Sequence, residues 1–213
     1  EMLQHELKQL VESELVYQRG LVPQAHYLFK HALIQETAYQ SLLKSTRQQY
    51  HTKIARVLAE RFPETVETQP DLVAHHYTEA GLKEQAVPCS QRAGQRAVER
   101  SAHLEAINHL TKGLELLKTL PETPQRLQRE VDMLIALGAS LLATKGYAAP
   151  EVVQTYIRAR QLCEHLDDRH QLFPVLRGLW QYYHVHAEYQ TAHTLGEQLL
   201  SLAQQAQDAV MLV

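Results

Sequence analysis

The sequence predicts a mainly α protein in two parts: a partial winged helix with a short β-hairpin, then a tetratricopeptide-like α-solenoid. Three observations carry this. Glycine and proline number only eight each in 213 residues, so breakers are few, while Ala, Leu, Gln and Glu supply strong helix formers. Apolar residues recur at helical spacing over nearly the whole chain, and two short alternating stretches interrupt them once. Small and large apolar residues also repeat along the second part, at an interval of roughly 40 residues rather than the usual 34.

Composition limits the function classes. With 45% hydrophobic residues the chain can bury real cores, and a formal charge of −3 gives no global basic field for nucleic acid or anionic lipid. Only Cys89 and Cys163 occur, far apart and inside helical patterns, which argues for a reducing compartment and against a disulfide framework. No apolar run approaches the roughly 20 residues that span a bilayer, and the start lacks a signal-peptide pattern. The expected location is the cytoplasm, with no membrane partner. Helical patterns running through both termini suggest a segment of a longer protein.

Residues 1–62 read as the winged-helix part. A helix is expected over Met2–Glu14, with Leu3, Leu7, Leu10 and Val11 at helical spacing. Leu15–Gly20 and Ala25–Lys30 alternate as strands, with Gly20 and Pro23 providing the turn chemistry. From Ala32 the period is helical up to Pro63, with a break expected near Ser45. Residues 63–70, with two prolines and several polar residues, read as a connector and domain boundary.

Residues 71–213 read as helix after helix. Asp71 is the expected N-cap of Leu72–Ala80, and Gly81 its stop. Helices follow at Glu84–Arg100, Ala102–Leu120, Gln125–Thr144, Pro150–Leu166, Leu172–His186 and Tyr189–Gln207. Ser101, Pro121 with Pro124, Gly146, Asp167–Asp168 and Ala187–Glu188 mark the breaks. Pro88 and Pro174 are placed in or near first turns, where a missing N–H costs little. Three helix pairs are expected, with small residues where the helices cross and large ones where they pack: the first uses Gly94, Ala97, Ser101, Ala106 and Leu110, the second Gly138, Leu141, Val152, Tyr156 and Ala159, and the third Trp180, Tyr183, Ala187, Tyr189 and Ala192.

The stretches "YLFKHALIQETAYQSLL", "RQQYHTKIARVLAERFPE", "AHHYTEAG", "AGQRAVERSAHLEAINHLTKGLELL" and "KGYAAPEV" resemble the region after the P-loop ATPase module of bacterial STAND-class signalling proteins. Many of these carry an adenylate/guanylate cyclase or protein kinase domain. The resemblance covers nearly the whole chain. It implies that the winged helix closes an upstream ATPase unit and that the repeats act as sensor or scaffold. It also implies ATP or ADP with Mg²⁺ in that upstream unit. No phosphate loop lies within these 213 residues, so the segment itself is expected to need no cofactor and to catalyse nothing. Members often show an aromatic pair where this chain has Cys89 and Ser90.

The candidate site residues follow. His31 sits where a strand gives way to a helix, a place where an imidazole can cap or pack, and where a helix start favours anions. The resemblance implies that His31 contacts nucleotide phosphate in the parent protein. Tyr182 and Tyr183 are adjacent, so both cannot face one core, and one is expected on a partner-binding surface. Arg92 and Arg96, with Arg100 and Lys112, form a charged helix face that would suit an acidic peptide. The thirteen histidines give no chelating pattern: adjacent His75 and His76 diverge by about 100° on a helix, and no H-E-x-x-H or C-x-x-C occurs. No metal is expected. A transcriptional regulator that binds duplex DNA through Lys44, Arg47, Lys53, Arg56 and Arg61 is the weaker alternative, because Glu6, Glu12, Glu60 and Glu64 surround them. The leading reading is a regulatory scaffold that binds a protein or peptide and neighbouring domains. A second copy is a further candidate partner through the apolar run Val210–Val213.

Overall fold

The computed structural model describes residues 2–22 and 25–206, and the chain divides into two compact units, Glu1–His51 and Thr52–Val213. The first has the helix–hairpin–helix order of a partial winged helix. Helix α1 (Met2–Glu12) stops short of the expected Glu14, which takes the left-handed conformation at φ 56°. Strands β1 (Val16–Arg19) and β2 (His26–Phe29) pair antiparallel, in register from Val16 opposite Phe29 to Arg19 opposite His26. Gly20 begins the turn at φ 83°, while Pro23 lies outside the described residues. Lys30 extends the hairpin, its N–H donating to the Leu15 carbonyl at 3.0 Å and its ammonium to the Glu14 carboxylate at 2.7 Å. That side-chain hydrogen bond holds the Glu14 carboxyl below, and the Lys30 ammonium above, its ordinary range.

The long helical pattern after Ala32 is two helices, α2 (Ala32–Ser41) and α3 (Lys44–Arg61). The break falls at Leu42–Leu43, a little before the expected Ser45. Leu42 turns extended (φ −77°, ψ 139°), and the Ser41 hydroxyl donates to the Ala38 carbonyl at 2.7 Å, a bond that competes with the helical ladder. Tyr39 and His51 meet across the break, hydroxyl to Nε2 at 3.1 Å, and the Arg47 guanidinium lies 4.9 Å over the Tyr39 ring.

In the second unit the expected connector is helical. Pro63 opens α4 (Pro63–Thr68) and Pro70 opens α5 (Pro70–Glu79). Proline at a first helical position loses only an N–H that has no intrahelical partner, so both prolines start helices here. Gln69, not Asp71, is the N-cap of α5, and Asp71 sits in its first turn. The rest of the order is α6 (Lys83–Glu99), α7 (His103–Leu117), α8 (Pro124–Lys145), α9 (Pro150–Leu166), α10 (Arg169–Val185) and α11 (Tyr189–Ala206). Pro88 and Pro174 lie further in than expected, each at the sixth residue of its helix. Gly81 and Gly146 end helices with positive φ, and Ser101, Asp167 and Ala187 do so from the left-handed region, at φ 58°, 52° and 58°. Thr123 caps α8 by accepting the Arg126 N–H, and Asp168 caps α10 by accepting the Gln171 N–H. That cap is why α10 begins three residues before the expected Leu172.

From α5 to α11 each helix packs on the next, and α8 also touches α6 and α10, so the second unit is a helical solenoid. Leu110, Leu117, Met133, Leu176 and Leu179 are fully buried along its core. Burial of each such side chain contributes about 1.5–3 kcal/mol of transfer free energy. For the first two pairs the small–large contacts fall within the expected sets of residues. A Cβ on Gly94 would lie 2.5 Å from Leu110 Cγ, and one on Gly138 2.6 Å from Tyr156 Cζ. The third crossing differs. Trp180, Tyr183 and Ala192 of the expected set lie in or against the core, and Gly196 faces Trp180, but Tyr189 is 64% exposed and Gly178 faces Tyr156 of the preceding pair. Ser90 is buried against Gly113, and the Met133 ε-methyl, not an aromatic ring, fills the space beside it.

Candidate functional site

The first helices of the three pairs, α6, α8 and α10, lie side by side and carry a continuous row of polar side chains. Asp132 on α8 is its centre. One carboxylate oxygen accepts from the Gln91 amide of α6 at 3.3 Å and the other from the Gln171 amide of α10 at 2.6 Å. Arg129 donates to Gln91 Oε1 at 3.1 Å, so the chain of bonds runs from a guanidinium through an amide to a carboxylate. One turn earlier on α8, Gln128 donates to Asp168 at 3.0 Å, and Asp168 also holds the first turn of α10. These four inter-helix bonds join residues 38 to 41 apart, so the repeat period is written directly into the hydrogen bonding. Gln91 is buried, Asp132 and Gln171 are half-buried, and Arg129 is exposed. Gln171 Oε1 is buried with no hydrogen-bond partner among the described residues.

The other candidate residues are distributed over both units. His31 is exposed and is the N-cap residue of α2; its carbonyl accepts the Ile34 and Gln35 N–H groups, and its ring makes no cap bond. Arg92 and Arg96 are both engaged inside the second unit. Arg92 pairs with the Glu67 carboxylate at 2.8 Å and Arg96 donates to the Glu67 carbonyl, so together they fasten the end of α4 onto α6. Tyr182 and Tyr183 are both half-buried against the core, their rings edge to face at 5.4 Å. Neither takes the fully exposed place expected for one of them. Tyr182 also stacks on His186 at 4.1 Å, and Trp180 on His184 at 5.3 Å.

The row itself was not singled out from sequence. The available signal was the recurrence of Gln, Asp and Gln at positions 91, 132 and 171, at the same interval as the apolar repeat.

Among the described residues no group of three or more His, Cys, Asp or Glu side chains is placed to hold a metal ion. Burial pushes both thiols up, and Cys163, 1% exposed and near Asp168, Glu164 and Asp132, reaches about 11. Such a thiol is a poor nucleophile at neutral pH. Against an ordinary cysteine near 8.5, that shift alone slows thiolate chemistry about 10²-fold. Ellman's reagent should therefore label Cys163 of the folded protein at least that much more slowly than in urea; equal rates would contradict the packing of α9.

No family model matches the chain. Over 156 residues, 72% of its length, it is 30% identical to an uncharacterized protein of Rhizobium meliloti (strain 1021). The matched region is 15% of that protein, so the chain is similar to one segment of a much longer polypeptide.

Proposed function

We propose that the chain is a non-catalytic interaction segment of a larger signalling protein of the STAND ATPase type. The solenoid binds a protein or peptide on the face formed by α6, α8 and α10. The helix–hairpin–helix unit passes the bound state to an upstream ATPase and its effector domain. One observation carries the binding role: the row Gln91–Asp132–Gln171, buried at Gln91 and half-buried at Asp132 and Gln171, with an acceptor at Gln171 that lacks a partner among the described residues. Amide and carboxylate groups in fixed positions along three parallel helices match the donors and acceptors of an extended main chain. The length of the Rhizobium relative supports a segment working within a longer chain. In that setting His31, exposed at the start of α2, would meet nucleotide phosphate.

The duplex-DNA alternative is weaker on the structure's own terms. Of its five basic residues, Arg47 lies over the Tyr39 ring and donates to Gln40, so that cation is already engaged.

Selection of a displayed peptide library on the 213-residue chain tests the binding role. Selected peptides should bind Asp132→Ala at least tenfold more weakly, the loss expected for a hydrogen bond to a charged group. Arg92→Ala, which touches only the α4 fastening, should leave their affinity unchanged. Binders indifferent to Asp132 would overturn the assignment.

A further inference from the structure

We infer that the partner received on α6, α8 and α10 carries a lysine or arginine, and that Asp132 and Asp168 together seat its cation. The inference rests on the binding face proposed above and names the chemistry that the face selects.

Both carboxylates are half-buried, so a ligand can reach them, and neither has an ion-pair partner among the described residues. Their hydrogen bonds come only from neutral groups. Asp132 accepts from the Gln91 amide at 3.3 Å and the Gln171 amide at 2.6 Å. Asp168 accepts from the Gln128 amide at 3.0 Å and the Gln171 backbone N–H at 3.1 Å. A carboxylate offers about four acceptor positions, so each keeps about two unused. Gln171 ties both carboxylates to one residue, and its own Oε1 is buried with no partner among the described residues. The place between α8 and α10 therefore has acceptors and negative charge in surplus. An ammonium or guanidinium brings several N–H donors together with the positive charge that such a place lacks.

The surrounding charges fix where the cation goes. Burial first, then the charges of Asp168, Glu164 and Asp132, push the Cys163 thiol up to about 11, so both aspartates act on one buried atom. Arg169, next in sequence to Asp168, is exposed; it faces Asp167 at 3.7 Å and donates to Gln205 at 3.3 Å, so its charge is directed to other groups. On the α6 side the row ends in Arg129, exposed and bonded to Gln91, which repels a second cation. The basic side chain thus belongs on the α10 side. A metal ion fits less well, since no three His, Cys, Asp or Glu side chains converge among the described residues.

The test uses peptides selected on the 213-residue chain, resynthesised with each lysine or arginine replaced in turn by glutamine. One such replacement should weaken binding about fivefold or more, and so should Asp168→Asn in the chain. Asparagine still caps α10, so that change removes the charge and keeps the helix start. The two losses should not add: a peptide without its basic residue should bind Asp168→Asn and the unaltered chain alike. Glu197→Gln, the same charge change on α11, should leave the affinity unchanged. Peptides that need Asp132 but lose nothing when their basic residues are replaced would overturn the cation seat and leave the binding face standing. Peptides that bind Asp168→Asn as tightly as the unaltered chain would do the same. Peptides indifferent to Asp132 would overturn the face and the seat together.

Discussion

Gly178→Ala should destabilise the second unit by about 1–3 kcal/mol, although alanine is the better helix former by about 1 kcal/mol. The reason is Tyr156, 6% exposed, whose rigid ring lies between α8 and α10. A methyl on Gly178 would sit 2.5 Å from Tyr156 Cζ, and one on Gly138 would sit 2.6 Å from the same atom. The ring cannot retreat from one helix without closing on the other. Gly138→Ala should therefore behave alike. Gly113→Ala should cost less, because its nearest neighbour is the end of the flexible Met133 side chain rather than a rigid ring, though Met133 is fully buried and Ser90 Cβ lies 3.1 Å from the new methyl. Thermal unfolding followed by circular dichroism would show the first two lower by several degrees, at roughly 2–4 °C per kcal/mol for a unit of this size. Tyr156→Leu combined with Gly178→Ala should cost less than the sum of the two. A Gly178→Ala protein as stable as the parent would mean that α8 and α10 do not clasp this ring.

Glu130→Ala should be the most damaging single charge removal, at about 3–5 kcal/mol. Glu130 is 3% exposed and is held between two guanidiniums, Arg158 at 2.8 Å and Arg126 at 3.3 Å. Taking the carboxylate away leaves the Arg126 charge buried with only the exposed Glu122 nearby. Arg158 is half-exposed, so its own charge returns to water, but it hydrogen-bonds the buried Glu130, and Arg158→Ala should cost about 1–3 kcal/mol. The paired change Arg126→Met with Glu130→Met removes both buried charges and should recover much of the loss, since a buried pair contributes little net stability. Urea unfolding of the four proteins checks the pattern. A paired protein as unstable as Glu130→Ala would show that the two groups do not act as a unit.

Much of the second unit was legible because its signals are local. Gly94 and Leu110, or Gly138 and Tyr156, lie on consecutive helices, and their spacing marks each set as a crossing while only the structure shows which residue meets which. Pro63 and Pro70 were read as breakers because proline marks both a stop and a first turn, and only the neighbouring helices decide which. The break at Leu42 rests on one Ser41 hydroxyl bond, too slight for a periodicity argument to locate. Arg92 and Arg96 resemble a solvated binding face until α4 is seen to be a helix with its end on them. The polar row stayed hidden for a different reason. Gln91, Asp132 and Gln171 each look like ordinary solvent-facing residues of one helix, and become a site only when helices some 40 residues apart are laid side by side. Tyr182 and Tyr183 were judged by their adjacency, yet an edge-to-face pair lets both lie half-buried. The apolar run Val210–Val213, the candidate surface for a second copy, lies outside the described residues.

A partner received on α6, α8 and α10, as proposed, should shield those helices. Hydrogen–deuterium exchange of the chain, with and without a peptide selected on it, tests this most directly. Exchange should slow in those three helices around Gln91, Asp132 and Gln171, with α7, α9 and α11 little changed. Protection confined to α7, α9 and α11, or to the helix–hairpin–helix unit, would contradict it.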